Sequence, residues 1–549
     1  MKMKRLWQGY RSGDSAIWLA GSGLGICLIM IGGMILLILS NGLGFFWPQR
    51  LVQLTLTDGT VLLGAVSGRE GIPQPGTPDH LKRSRIQLKL GNRDVSGADF
   101  RWVDEDSIAS RTEPADALYV ERREYGPFIG RAVTLLEDGR PVASSGDAVL
   151  SALTPLVAQA ARHRVEINRL QVDQLGGVNY QLEQARLRLR RDEIRAGGTA
   201  TPEVVAARAE TERTEAALKE QYAMLERQLV QLSDTAARPR VVLRTASGDE
   251  KEMAVLDVYR VYAANQLTTA GRFGIYMSRL WEFLSSEPRE SNTEGGIFPA
   301  IFGTVMMVML MSILAVPFGV LAALYLREYA KQGLLVRVVR IGVNNLAGVP
   351  SIVFGVFGLG FFVYFVGGTI DSLIFPERLP TPTFGTGGIM WASLTLGLLT
   401  VPVVIVAAEE ALASVPRSMR EASLAAGATR FQTILRVVLP AAAPGILTGL
   451  ILAMARGAGE VAPLMITGVV KLAPDMPLDG VFPYLHLERK FMHLGFHIYD
   501  VGFQSPNVEA AKPMVYATSI LLLLIVVLLN MTAIVVRNRL RRRYQMSAF

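Results

Sequence analysis

Long apolar segments alternate with polar stretches along the chain, and six of them are long enough to cross a bilayer as helices. Each runs for about 20 residues or more, the length that a helix needs to span the hydrocarbon core. The predicted spans are Ile17–Leu39, Ile297–Leu326, Ile341–Val366, Gly388–Ala408, Ala441–Val469 and Val515–Val536. The first is longer than the apolar core of a typical signal peptide, and Trp47-Pro48 follows it in place of a small-residue cleavage site. We therefore interpret it as a retained span.

A different pattern fills residues 46–294, between the first and second spans. Leu51–Val66 alternates between apolar and polar residues around an Asp-Gly pair, which predicts a β-hairpin, and shorter strand-like runs follow. From about 147 to 234, apolar residues recur at roughly heptad spacing in a charged background. Gly197-Gly198 interrupts this pattern, and Thr201-Pro202 supplies the start of a second helix. The insert is thus predicted to be α+β, with an antiparallel coiled-coil hairpin between strands that pair into one β domain.

Composition and charge placement favour a membrane protein. Half of the residues are hydrophobic, and the mean hydropathy is +0.30. The net charge of +8 could indicate a nucleic-acid partner, but the basic residues cluster before the first span and after the second, fourth and sixth. Because basic loops stay inside, this predicts cytoplasmic termini, an insert outside the bacterial inner membrane (periplasmic), and no nucleic-acid partner. The single cysteine, Cys27, lies within the first span, and no metal site is predicted.

Three regions follow from these patterns. Residues 1–45 form the cytoplasmic N-terminus and first transmembrane helix, and residues 46–294 form the periplasmic insert. Residues 295–549 form a core of five transmembrane helices, with a cytoplasmic loop at 409–440.

The loop at 409–440 has the pattern of a short helix, a glycine break and a second helix. Ser418–Glu421 fits a capping box, Gly427 fits a left-handed helix end, and Thr429 can cap the next helix. Small residues around Ala422 would let another protein surface approach closely. The pattern therefore predicts a docking loop for a soluble partner.

Glu421-Ala422, Gly427 and the later Val437–Pro440 resemble the EAA loop of bacterial ABC importer permeases. Ser423 stands where a second alanine is usual, which is a mild departure. The resemblance implies a mainly α, six-helix type I importer permease fold. It also implies that Glu421, Ala422 and Gly427 are the coupling positions, on a helix that sits in a cleft of an ATPase subunit.

Three further stretches, Gly295–Tyr329, Asn345–Gly358 and Gly445–Gly468, resemble the PstA family of phosphate permeases. This resemblance implies inorganic phosphate as substrate, a periplasmic phosphate-binding protein, a second homologous permease subunit and two ATPase subunits. A permease for another oxyanion, such as sulfate, molybdate or phosphonate, is the nearer alternative, and a membrane sensor is the more distant one. The insert departs from the ordinary form of the family, so its role stays open.

The sequence has no Gly-x4-Gly-Lys-Ser/Thr stretch, the phosphate-binding loop of many ATPases. We therefore expect a transport subunit that is not itself an enzyme and holds no cofactor, with ATP and Mg²⁺ bound by the partner ATPase.

Arg456 and Glu460 are predicted to lie on one helix face inside the fifth span. Charges at that depth are costly unless they pair or line a water-filled path. One interpretation is a salt bridge that locks helix packing. In the other, the arginine fork contacts an oxyanion in the substrate path and Glu460 compensates the charge when the site is empty. Spacing alone does not assign these tasks.

Overall fold

The computed structural model describes residues 14–72, 83–144, 146–505 and 508–545. Within these residues, six helical segments are long and apolar enough to cross a membrane, which confirms the predicted number of spans. They are Ile17–Gly44, Phe298–Tyr329, Ser351–Ile374, Ile389–Ser414, Arg430–Gly459 and Val508–Arg542. The basic residues predicted to hold the N-terminus inside, Lys2, Lys4, Arg5 and Arg11, lie outside the described residues.

Within its described residues, the insert contains two large antiparallel sheets and one two-stranded sheet. The first has the strand order β4-β3-β2-β1-β5, and the second has the order β10-β9-β7-β6-β11, with β8 beside β7. The strands are β1 (Leu51–Leu56), β2 (Val61–Gly71), β3 (Ser84–Lys89), β4 (Phe100–Asp104), β5 (Ile108–Thr112), β6 (Leu118–Arg122), β7 (Phe128–Glu137), β8 (Arg140–Ala143), β9 (Arg240–Arg244), β10 (Glu250–Ala254), β11 (Val258–Ala263) and, as a separate pair, β12 (Pro288–Arg289) and β13 (Glu294–Gly295). Strands from before and after the helical segment pair, β7 with β9 and β6 with β11, as predicted.

A helical hairpin, α3–α5, rises from the second sheet. The helices up to the second span are α1 (Asp14–Gly44), α2 (Arg93–Ser96), α3 (Gly146–Asn168), α4 (Gly176–Arg195), α5 (Pro202–Ala237) and α6 (Thr269–Ser285). A π-helical segment, Arg169–Leu175, joins α3 and α4 into one arm, and α5 forms the other. Ion pairs Arg186–Glu215 and Arg208–Glu193 connect the two arms in antiparallel register. The heptad packing of a coiled coil stays a prediction.

The turn between the arms follows the sequence signals. Gly197 and Gly198 adopt positive φ angles of 63° and 76°, which glycine reaches without steric cost. The Thr201 hydroxyl accepts a hydrogen bond from the backbone N–H of Val204 and caps α5, whose first residue is Pro202. At the other end of the hairpin, α3 buries Leu153 in a hydrophobic core shared with the second sheet.

The core after the insert is built around α11. Its helices are α7 (Phe298–Leu324), α8 (Leu334–Leu346), α9 (Ser351–Phe357), α10 (Gly368–Ile374), α11 (Ile389–Ser414), α12 (Arg417–Ala425), α13 (Arg430–Thr433), α14 (Leu439–Gly459), α15 (Ala462–Thr467), α16 (Leu494–Tyr499) and α17 (Val508–Gln545). Helix α11 packs against α7 and α14 in one core that includes Met311, Leu396 and Met454. Glycines allow close approach: a Cβ on Gly449 would lie 2.7 Å from the Ala407 Cβ, and one on Gly457 would lie 2.5 Å from the Met311 sulfur.

Two predicted spans are wrong at their ends, and proline explains both differences. The third span begins at Ser351 and not at Ile341, because Pro350 is extended (ψ 136°) and separates it from the amphipathic α8. The fifth span ends at Gly459 and not at Val469. Pro463 lacks an N–H, and in a continued helix its ring would clash with the carbonyl of Gly459, so the chain breaks before α15.

Candidate functional site: the coupling loop and the Arg456–Glu460 pair

The predicted coupling positions lie on an exposed loop. Glu421 and Ala422 are exposed on α12, and Gly427 is exposed just beyond that helix, with a φ angle of +85°. The left-handed helix end predicted at Gly427 is therefore present. Met419 and Leu424 are also exposed, so the same short helix presents apolar side chains to solvent beside the exposed Glu421.

One of the two predicted caps in this loop is wrong. Helix α12 begins at Arg417, directly after Pro416, and no side chain caps it, so the predicted capping box at Ser418–Glu421 is not formed. The cap predicted at Thr429 is present and is reinforced. The Thr429 hydroxyl accepts from the Gln432 N–H (3.2 Å), and the Gln432 side chain accepts from the Thr429 N–H (2.9 Å).

Arg420 anchors α12 to the rest of the core. Its guanidinium donates to the carbonyl oxygens of Leu412 (2.7 Å) and Val415 (2.6 Å), at the end of α11, and to the carboxylate of Glu328 (2.9 Å). In the sequence, Arg420 is simply one of the basic residues after the fourth span, and its partner Glu328 is 92 residues away along the chain. Helix α12 is thus attached to two spans rather than carried on a loose loop.

The loop continues without a break into the span that bears Arg456. The helix runs from Arg430 to Gly459, with a π-helical segment at Ile434–Val438 just before Pro440. Its 30 residues give a length of about 45 Å at about 1.5 Å per residue. The start of this helix and Arg456 are therefore joined by one continuous helical segment.

Arg456 and Glu460 meet at the far end of that helix. Arg456 lies in its last turn, and Glu460 is the first residue after it, with an extended backbone (ψ 134°). The Arg456 Nε lies 3.7 Å from the Glu460 Oε1, and the side chains are 34% and 22% exposed. The prediction that both residues lie inside one continuous span is wrong for Glu460, although the ion pair itself is present.

The neighbouring residues show which way the pair faces. Ala453, Met454 and Ala458 are buried in contacts with other helices, whereas Arg456 and Glu460 remain partly open. The pair therefore lies on a face that the packed core does not cover, where a ligand or another chain can reach it. The pair is thus loosely joined and partly exposed at the end of the fifth span.

The helical hairpin also contacts the core, which the sequence did not indicate. The Arg191 Nε donates to the Glu377 carboxylate (3.0 Å), and the Tyr180 hydroxyl donates to the Phe482 carbonyl (3.4 Å). The Glu377 side chain is only 1% exposed. Burial alone would raise the pKa of Glu377, but the hydrogen bonds and charge of Arg191, with a backbone hydrogen bond and the charge of Arg378, together hold it below its usual value.

Arg191→Gln should loosen the hairpin from the core. The buried Glu377 carboxylate would lose its cationic donor, which costs roughly 1–3 kcal/mol. We expect faster hydrogen exchange in the segment around Glu377 at neutral pH. Because the pairing lowers the pKa of Glu377, the native contact is stable above the usual pKa and weakens as pH falls through the lowered one.

Arg186→Gln is the matched control for this prediction, because the ion pair that Arg186 makes in the described part of the chain lies within the hairpin, with Glu215. It should leave hydrogen exchange around Glu377 unchanged. Equal exchange in the Arg191→Gln variant and the native chain would contradict a docked hairpin.

The core resembles known transport proteins. The sequence profile of the family described as binding-protein-dependent transport system inner membrane component matches residues 315–545. The phosphate transport system permease protein PstA 1 of Mycobacterium tuberculosis is 32% identical over 274 residues, which cover 50% of this chain and 81% of that protein. The probable ABC transporter permease protein YqgH of Bacillus subtilis is 34% identical over 203 residues, 36% of this chain and 62% of that protein. The chain thus spans less than two thirds of the latter relative.

A solved structure of the MetNI methionine ABC transporter, in an inward-facing conformation, is similar over 44% of this chain and 94% of that chain. The sequence identity is 20% and the TM-score is 0.33.

The chain has six spans, and an exposed loop helix precedes the span that bears Arg456. Together with the family match, these features define a multi-pass membrane permease of the ABC importer class. The chain belongs to the family of binding-protein-dependent transport system inner membrane components and resembles the phosphate permease PstA. The family match begins at residue 315, so the insert, residues 46–294, lies outside the matched region.

Proposed function

We propose that this chain is the transmembrane permease subunit of an ATP-driven importer of inorganic phosphate. The observation that carries the proposal is the Arg456–Glu460 pair, partly open at the end of the fifth span and joined by one continuous helix to the exposed α12 loop. A planar guanidinium presents paired donors that match phosphate oxygens. The similarity to PstA proteins supports phosphate among the possible oxyanions.

The coupling mechanism follows from the same geometry. Two ATPase subunits, which bind ATP and Mg²⁺, receive α12 of this chain and the matching helix of a second, homologous permease. ATPase closure displaces α12, and Arg420 passes the displacement to the ends of two spans. The helix Arg430–Gly459 carries it to the Arg456–Glu460 pair, so that access to the path alternates between the two sides.

The orientation in this proposal places both termini and α12 in the cytoplasm. The insert then lies in the periplasm, on the side where a binding protein delivers phosphate. The basic residues after the second, fourth and sixth spans support this orientation.

An uptake panel tests the substrate. The chain and its partner subunits are produced in a strain that lacks its own phosphate importers, and uptake of radiolabelled phosphate, sulfate, molybdate and phosphonate is measured. We expect energy-dependent uptake of phosphate alone. Uptake of another oxyanion in place of phosphate would overturn the substrate and leave the importer class intact.

A further inference from the structure

A cavity of about 750 Å³ lies where the insert meets the membrane-spanning helices. Its wall includes the end of α1, around Phe45, and the start of α17, around Tyr516. The remaining wall comes from α6, from the sheets and from the segment just before α7. The cavity therefore lies at the insert-bearing ends of two spans, away from both the coupling loop and the Arg456–Glu460 pair.

Most charges on the cavity wall neutralise one another in direct ion pairs. The pairs are Arg93–Glu290 (2.7 Å), Arg279–Glu121 (2.7 Å between Nε and Oε1), Lys512–Glu509 (2.6 Å) and Arg289–Glu282. These pairs are intramolecular and leave little attraction for a ligand that carries only one sign of charge.

Lys89 and Glu294 lie on this wall outside these pairs, and so does a further acid, Asp99, which has a partner of its own. Among the residues that the structure describes, no carboxylate lies at ion-pair distance from Lys89, and no cation lies at ion-pair distance from Glu294. Burial raises the pKa of Glu294, and the charges of Lys89 and Arg289 only partly offset this effect. Lys89 and Glu294 are thus a cation and a carboxylate on the same wall, and the charge of Lys89 favours the ionised form of Glu294.

We propose that this cavity binds the zwitterionic headgroup of an aminophospholipid, with its ammonium on Glu294 and its phosphate on Lys89. A zwitterion satisfies both wall charges at once, which a lone anion or a lone cation does not. The ammonium donates hydrogen bonds to the carboxylate, and the lysine ammonium donates to the phosphate oxygens.

The position of the cavity favours a lipid over a free zwitterion. The apolar window of the first span has none of its residues buried inside the protein, so acyl chains can lie along α1 up to the cavity wall. On α6, Trp281 is 71% exposed and Phe273 is 55% exposed. Exposed aromatic residues beside the ends of spans are typical of the membrane interface.

Lipid retention by the assembled importer tests the proposal. The purified complex is exchanged from nanodiscs of defined composition into detergent, and retained lipid is counted by native mass spectrometry. We expect one phosphatidylethanolamine per chain to persist and phosphatidylglycerol, which lacks the ammonium, to be lost. Glu294→Gln and Lys89→Met should each reduce retention about tenfold, as expected from loss of one charge-assisted contact.

Glu137→Gln is the matched control, because Glu137 is an exposed acid of the same insert and is not part of the cavity wall. It should retain the lipid as the native chain does. The comparison of the two lipids on the native chain keeps the test valid if a cavity variant does not fold.

A membrane lipid and a free zwitterion present the same headgroup chemistry. Competition with soluble phosphoethanolamine distinguishes these two ligands. If it displaces the lipid only at concentrations far above those of nanodisc lipid, the lipid is the ligand. Efficient displacement by the soluble compound would overturn the assignment to a lipid. Equal retention of both lipids, or equal retention by all variants, would overturn the site itself.

Discussion

Arg456→Gln should reduce phosphate uptake about tenfold or more, the effect expected for loss of a charged contact worth roughly 1.5–3 kcal/mol. Glutamine keeps part of the side-chain length and polarity but removes the charge and the guanidinium fork. Glu460 would then remain without its cation at the end of the span. The measurement is the initial rate of radiolabelled phosphate uptake, corrected for the amount of complex in the membrane.

Two further variants separate a role in the path from a role in packing. Arg539→Gln, at an exposed position near the end of α17, removes a comparable charge and should leave uptake unchanged. If the pair only locks helix packing, the double variant Arg456→Gln with Glu460→Gln should regain uptake, because neither residue is then unpaired. We expect it to stay inactive. Native kinetics in Arg456→Gln would contradict the path assignment.

Gly427→Val should uncouple ATP hydrolysis from uptake while the chain still inserts and assembles. The φ angle of +85° at Gly427 is strained for any other L residue, by about 1–2 kcal/mol, and most of all for a β-branched one. The loop would relax to another conformation and move α12 relative to α13. ATPase activity of the purified complex and phosphate uptake, measured in parallel, report the loss of coupling.

Gly427→Asn is the control for this prediction, since asparagine tolerates the left-handed conformation better than other residues. A Cβ at this position would meet no atom within 4 Å, so space does not limit the substitution. Asparagine should therefore retain most coupling. Equal loss of coupling in both variants would show that the backbone conformation is not the cause, and normal uptake in Gly427→Val would contradict the docking assignment.

The features that local sequence rules govern are the ones that the sequence predicts well. Apolar runs mark the six spans, because a bilayer requires a minimum length of apolar helix. Gly427 and Thr429 have the conformations expected of a helix end and a cap, because those depend on a few neighbouring residues. The paired glycines at Gly197-Gly198 likewise mark the turn between the helical arms.

Where an apolar run continues through a proline, hydrophobicity alone misplaces the end of the helix. Residues 460–469 are apolar enough to extend the fifth span, but Pro463 ends the helix at Gly459 and leaves Glu460 outside it. That break gives the Arg456–Glu460 pair its looser geometry.

Contacts between distant segments have no signal in a single sequence. Arg420 reaches Glu328 across 92 residues, and Arg191 reaches Glu377 across 186. Each of these arginines has several acids at suitable distances along the chain, and only the packed helices bring one of them close. The anchoring of α12 and the docking of the hairpin are therefore visible only in the structure.

The most direct test of the central proposal is uptake of radiolabelled phosphate into proteoliposomes that contain this chain with its partner permease, ATPase subunits and binding protein. We predict uptake that requires ATP and Mg²⁺ on the side of α12, requires the binding protein on the side of the insert, and is competed by unlabelled phosphate but not by sulfate. Phosphate uptake that proceeds without ATP, or no phosphate uptake by the fully assembled complex, would contradict it.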